Sequence, residues 1–224
     1  MTDASAALAP LPAPALGGGG GGDDADRKGR WHGLVYVEVP RTRRFLAVAA
    51  RALGARGDED DRSLCRDAHV SVSRPFALWH HEADPFVARV RQKLRNRGAR
   101  PFTAVVDGEE TREMPSEDGT RSFAALAASD DENGGGFARV VDAVDDALAA
   151  FGRPAYHAER AYHVSVAETT ARSRSRSRSR SRDSLDSDGP SDDSDGDDRV
   201  YVPVDAVVVK YGHHRVVIPL AAAP

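Results

Sequence analysis

Cysteine is almost absent from this chain: Cys65 is the single one among 224 residues. One thiol cannot close an intrachain disulfide, nor join a thiolate cluster around zinc. That excludes a disulfide-stapled secreted fold and points to a reducing compartment. Long apolar runs are lacking too, since none approaches the roughly 18 residues that span a bilayer as a helix. The first residues are apolar, but they carry Asp3, no early Lys or Arg, and the breaks Pro10, Pro12 and Pro14. The charged start and unbroken apolar stretch of a signal peptide are therefore missing. Charge of one sign is also scarce: 31 basic side chains against 35 acidic ones leave a net charge of −4. No global field draws in a polyanion, so nucleic-acid affinity has to come from local patches. An intracellular soluble protein without membrane contact is the expectation.

What is present divides the chain into folding and non-folding parts. Residues 1–30 join an Ala/Pro-rich stretch, the run Gly17–Gly22 and a charged stretch. Nothing there offsets the entropy of ordering, and a disordered tail is expected. No Lys-Ser or Lys-Thr follows the glycine run, which makes it a linker and no phosphate loop. Residues 172–198 are a second such segment: Arg-Ser alternation from Arg172 to Arg182, then an Asp/Ser/Gly-rich stretch. It reads as a disordered insertion in a single domain over 31–220. What remains is about 160 residues, enough to bury most of its apolar surface.

Within that domain, Leu34–Val39 is β-branched and aromatic and stops at Pro40, as a strand does. Phe45–Leu53 has helical apolar spacing and stops at Gly54. Asp67–Ser73 reads as a strand, residues 84–97 as a helix, and Phe102–Val106 and Arg121–Ala127 as strands about a polar turn. Phe137–Phe151 is the clearest helix, with Phe137, Val140, Val141, Val144 and Leu148 in one stripe. Ala161–Val166 is a strand, and Val200–Val209 and His213–Leu220 read as two strands of a hairpin turning at Tyr211-Gly212. Two similar units emerge, each with a leading strand, helices and a strand ending in His-Val-Ser-Val. The expectation is α+β with internal duplication.

The repeated tetrapeptide, His69–Val72 and His163–Val166, carries the chemistry. Alternate residues of a strand share a face, so His69 goes with Ser71 and His163 with Ser165, while the valines turn to a hydrophobic layer. If the two strands meet in one cleft, two imidazoles and two hydroxyls converge there. A neutral imidazole takes the proton of an RNA 2′-OH, an imidazolium protonates the departing 5′-oxygen, and the serines hydrogen-bond the phosphate. Histidine suits both roles because its pKa of about 6.5 lets both protonation states exist near neutral pH. The scheme needs no metal or other cofactor. His-x-Ser alone is a weak pattern. Valine at both remaining positions of both copies, each in a strand context, makes it specific.

These residues resemble the two-histidine (2H) phosphoesterase superfamily, and within it the U6 small nuclear RNA phosphodiesterase family. The resemblance rests on His69-Val70-Ser71-Val72-Ser73-Arg74 with Trp79-His80-His81 and Pro85-Phe86 after it, and on Gly119-Thr120-Arg121-Ser122-Phe123. It also rests on Tyr162–Ala167, on Val209-Lys210-Tyr211-Gly212-His213, and on the leading Trp31–Val37. It implies a duplicated two-lobe fold with antiparallel sheets around a central cleft and helices outside. It further implies a 3′-to-5′ exoribonuclease that trims the oligouridine tail of U6 snRNA in the nucleus, leaving a terminal, often 2′,3′-cyclic, phosphate. His69 and His163 match the catalytic histidines, with His69 as proton acceptor and His163 as donor for a working assignment that pseudo-symmetry leaves open. Ser71 and Ser165 match the phosphate-contacting serines. A base-stacking aromatic is expected shortly before the second motif, where Tyr156, His157 and Tyr162 are the candidates. The 172–198 insertion and the Ala-rich Ala124–Ala128 depart from the family pattern.

Other readings stay open at this level. A 2′,3′-cyclic phosphodiesterase or RNA-ligase-like enzyme would use the same histidines. A non-catalytic protein could bind splicing partners through Arg172–Arg182. The basic row Arg89, Arg91, Lys93, Arg95, Arg97 and Arg100 could guide RNA, though a solvated helix face is its ordinary meaning. His80-His81 and His213-His214 read as surface residues rather than metal ligands. A monomer is expected.

Overall fold

Valine and its β-branched relatives dominate the middle of the molecule because a half-buried pleated surface favours them. In the computed structural model, which describes residues 29–54, 63–64, 67–115, 121–130, 134–170 and 198–221, they build one antiparallel sheet. The elements run β1 (Arg30–Glu38), α1 (Arg43–Gly54), β2 (Ser63–Leu64), β3 (His69–Ser71), β4 (Phe76–Trp79), a 3-10 turn (His80–Glu82) and α2 (Ala83–Asn96). There follow β5 (Phe102–Pro115), β6 (Arg121–Asp130), α3 (Gly136–Ala149), β7 (Tyr162–Thr170), β8 (Arg199–Val204), β9 (Ala206–Tyr211) and β10 (His214–Pro219). Segments 1–28 and 171–197, which hold nearly all of the expected tail and insertion, lie outside the described residues.

The sheet order is β10-β9-β1-β3-β7-β6-β5-β8, with β2 against β7 and β4 against β1. The β3–β7 ladder thus joins two four-stranded halves, and each half contributes one His-Val-Ser strand to the junction. The α+β arrangement with two lobes meeting at the motif strands is the one expected, although the lobes share one sheet. Six positions separate β9 from β8 along this order, about 29 Å if the sheet were flat. Yet Asp205 alone links their chain ends, a reach of roughly 7 Å. The sheet therefore curls until its ends nearly meet.

That link corrects the sequence reading. Val200–Val209 is not one strand but two, broken at Asp205, with β8 on β5 and β9 on β1. Val207, Val208 and Val209 are all buried, so alternation fails past the break, and the Asp205 carbonyl accepts the Leu220 N–H at 2.8 Å instead of a ladder bond. The hairpin at Tyr211-Gly212 is where it was expected, with Gly212 at φ 55°. The first motif strand is shorter than expected. Chain past Ser71 leaves the ladder with β7, and Val72 donates to the Val35 carbonyl at 2.9 Å.

Helices cover the valine side. Phe86, Val90 and Leu94 of α2 and Phe137, Val140, Val141, Val144 and Leu148 of α3 are all at most 3% exposed. Asp130 at the end of β6 accepts the Phe137 N–H at 2.8 Å, satisfying a donor that the start of α3 would otherwise leave free. Part of the basic row on α2 is taken up within the fold. Arg97 binds Asp146 of α3 at 2.9 and 3.0 Å, and Lys93 lies 3.6 Å from the same carboxylate. No helix among the described residues is long and apolar enough to cross a membrane.

Candidate active site

Val70 of β3 pairs with Val164 of β7. In this antiparallel register His69 stands across from Ser165, and Ser71 across from His163. Directly opposed residues share a face of the sheet, so all four polar side chains project together from one side. Val70, Val72, Val164 and Val166 fill the other, none more than 3% exposed. The two histidines are diagonal neighbours, with backbones roughly 7–8 Å apart. One tetrahedral phosphate between two imidazoles fits such a span, with a serine hydroxyl on either side.

Each imidazole is held in the same way. His69 Nδ1 lies 2.8 Å from the Asp67 carbonyl oxygen and His163 Nδ1 lies 3.4 Å from that of Ala161, in both cases two residues back. A carbonyl oxygen only accepts, so Nδ1 carries the hydrogen. In the neutral ring the lone pair is then on Nε2. The Tyr36 ring lies against His69, centroids 4.9 Å apart, and Glu38 is the β1 residue opposite His69. Burial lowers the pKa of His163. The Ala161 contact opposes that, while the charges of His69, His157 and Arg112 push the same way as burial.

The three aromatic candidates fare differently. Tyr162, next to His163 on the strand, points to the helix side, where it stacks on Phe137 at 4.6 Å; burial raises its pKa to about 12. Its ring is therefore a packing group on the side away from the imidazoles, although the residue also borders the cavity beside His163. Tyr156 is partly buried, its N–H donating to Asp145 at 2.8 Å and its ring 6.0 Å from Tyr162. His157 is exposed, its ring 5.4 Å from that of Tyr156, and its charge reaches His163. Of the three it is the one free to meet a base beside the site.

Cavities flank the motif strands on both sides. One of about 310 Å³ adjoins His163 and is lined by Asp107, Glu110, Arg112, Glu113 and Arg160. Ala127 and Ala125 lie across from His163 and Ser165 in β6, so the unusual alanine run keeps this space open. The other, about 410 Å³, adjoins the His69 strand and is lined by Tyr36, Glu38, Arg41, Asp67, Lys210 and Arg215. Sequence reasoning missed most of these residues. Strand alternation could have put Tyr36 and Glu38 on the site face, but the cations come from separate elements. Ser73, by contrast, is structural: it is buried and accepts the Val35 N–H at 2.9 Å. Among the described residues no group of three or more His, Cys, Asp or Glu is placed to hold a metal ion.

Residues 25–219 match the model of the HVSL family, described as an uncharacterised conserved protein. No curated protein sequence matches the chain. Among solved structures, Usb1 of Kluyveromyces marxianus is similar at 16% identity and a TM-score of 0.54, over 84% of this chain and 98% of that one. Its structure with uridine monophosphate gives the same values. TT0787 of Thermus thermophilus is also 16% identical, at a TM-score of 0.48 over 84% and 97% of the two chains. The match to the family model spans nearly all of the described residues and includes both motif strands, and on that ground the chain belongs to the HVSL family.

Proposed function

We propose that this protein is a phosphodiesterase that shortens RNA from its 3′ end, with oligouridine, as on U6 snRNA, as the preferred terminus. The observation that carries the reading is the crossed pairing of His69 with Ser165 and Ser71 with His163. It gives an acid, a base and two hydroxyl donors around one phosphate. His69 takes the proton of the penultimate 2′-OH, whose oxygen attacks phosphorus. The bond from phosphorus to the last nucleoside's 5′-oxygen breaks, and His163 protonates that oxygen. Ser71 and Ser165 donate to the phosphate oxygens as charge builds, and the retained strand ends in a 2′,3′-cyclic phosphate. His157 stacks on the terminal base. The uridine monophosphate bound by Kluyveromyces marxianus Usb1 motivates the choice of uridine. Action in the nucleus, and contact with splicing proteins through Arg172–Arg182, rest on the family resemblance and the Arg-Ser alternation.

A time course on oligouridine labelled at the 5′ or the 3′ end tests the reading. Stepwise shortening of the 5′-labelled strand, with mononucleoside released from the 3′-labelled one and no loss of rate in EDTA, is the expected result. Opening of a 2′,3′-cyclic nucleotide without any shortening would replace the exonuclease with a cyclic phosphodiesterase.

A further inference from the structure

The cavities flanking the motif strands differ in charge, and the difference gives RNA a direction. Beside His69, Glu38 is occupied by Arg215 at 2.6 Å, whose guanidinium also hydrogen-bonds the Tyr36 hydroxyl. Arg41 and Lys210 line the same space with no ion-pair partner among the described residues, and Asp67 is the remaining acid. Lys210 is on the site face, since β9 pairs Lys210 with Leu34 and Val208 with Tyr36. Beside His163 the balance is reversed. Asp107, Glu110 and Glu113 line that cavity against the two cations Arg112 and Arg160; Arg112 is paired with Glu110, Arg160 is drawn to Asp142 at 2.5 Å, and Arg199 lies 3.7 Å from Asp107. A further phosphate entering there would meet like charge. A terminal nucleoside with free 2′- and 3′-hydroxyl groups carries none beyond the scissile one and would not, whereas the single charge of the 2′,3′-cyclic phosphate left by a first cut makes later cuts slower.

We propose that Arg41 and Lys210 form a binding subsite for the phosphate on the 5′ side of the scissile bond. RNA then crosses the sheet with its retained strand over β1 and β9 and its last nucleoside in the acidic cavity beside His163. This deepens the function proposed above and rests on it. It also supplies what the pseudo-symmetric motifs lack. The attacking 2′-OH belongs to the retained strand and so lies on the His69 side, which makes His69 the proton acceptor and His163 the donor.

The test compares wild type with an Arg41→Ala/Lys210→Ala double variant on the dinucleotide UpU and on longer oligouridines. UpU has no phosphate to place in the subsite. Wild type is expected to favour the longer substrates in kcat/KM by roughly tenfold, and the double variant to lose that advantage. Binding of an uncleavable 2′-O-methyl oligouridine, followed by fluorescence polarisation, should weaken in the variant. Its salt dependence should become shallower by about 0.7 for each phosphate no longer neutralised. The binding readout decides the subsite even if cleavage fails, and a wild type inactive on every RNA counts against the enzymatic reading alone. Unchanged affinity and salt slope in the double variant, or equal losses on UpU and longer strands, overturns the subsite.

Discussion

Val70 lies directly across from Val164, and this pairing of two buried apolar residues sets the geometry of the polar pair on either side of each. A slip of one residue would turn an imidazole into the core and a valine into the cleft. The catalytic register is thus enforced by the hydrophobic layer beneath it. Val70→Ala removes two methyl groups from a fully buried position. It should destabilise the protein by about 2 kcal/mol, lowering Tm by roughly 4–8 °C. Thermal unfolding checks this, and an unchanged Tm would mean that the pairing does not anchor the two halves.

The histidines themselves belong to the chemistry and not to the core. His69→Ala and His163→Ala should each reduce cleavage by about 10²–10⁴-fold, with circular dichroism and oligouridine binding close to wild type. Because the two rings act in one proton-transfer sequence, the double variant should be little slower than either single one. Single-turnover rates measure this. Losses that multiply in the double variant would show the rings acting independently.

Much of this site is legible in the sequence, and the illegible part has a physical cause. Strand alternation places His69 with Ser71 and His163 with Ser165 without reference to anything distant. Which strands then lie side by side is set by partners far away in the chain, so the crossed His–Ser pairing shows only in the ladder. The same applies to Arg41, Lys210 and Arg215, which come from three segments. The break at Asp205 is hidden because Val200–Val209 is apolar almost throughout, and local pattern cannot tell a strand buried on both faces from two strands in different ladders. The basic row on α2 has the charge of a path for RNA, but α3 supplies Asp146 for Arg97 and Lys93.

The pH dependence carries a sign. Burial lowers the His163 pKa from 6.5. As proton donor, His163 is active while protonated, below that pKa, and its contribution is lost as pH rises through it. The limb of the rate profile that reports His163 should therefore lie at lower pH than an unburied imidazole would place it. His157→Ala removes one charge that helps hold the pKa down, so the limb should move to higher pH, and KM should rise with the loss of base stacking. A pH–rate series on both proteins measures the two effects. A KM increase with no movement of the limb would leave His157 a stacking residue without electrostatic influence on His163.

The donor and acceptor roles can be separated by changing the leaving group. Departure of a nucleoside 5′-oxygen requires a proton, whereas p-nitrophenolate leaves unprotonated near neutral pH. On uridine 3′-(p-nitrophenyl phosphate), His163→Ala should recover most of the activity it loses on RNA, because the step it serves is no longer demanding. His69→Ala should stay impaired on both substrates by about 10²-fold or more, since the 2′-OH still has to lose its proton. Release of p-nitrophenolate, followed by absorbance, gives both rates directly. If His69→Ala were the variant rescued, the roles would be exchanged, and with them the direction in which RNA lies between Lys210 and His163.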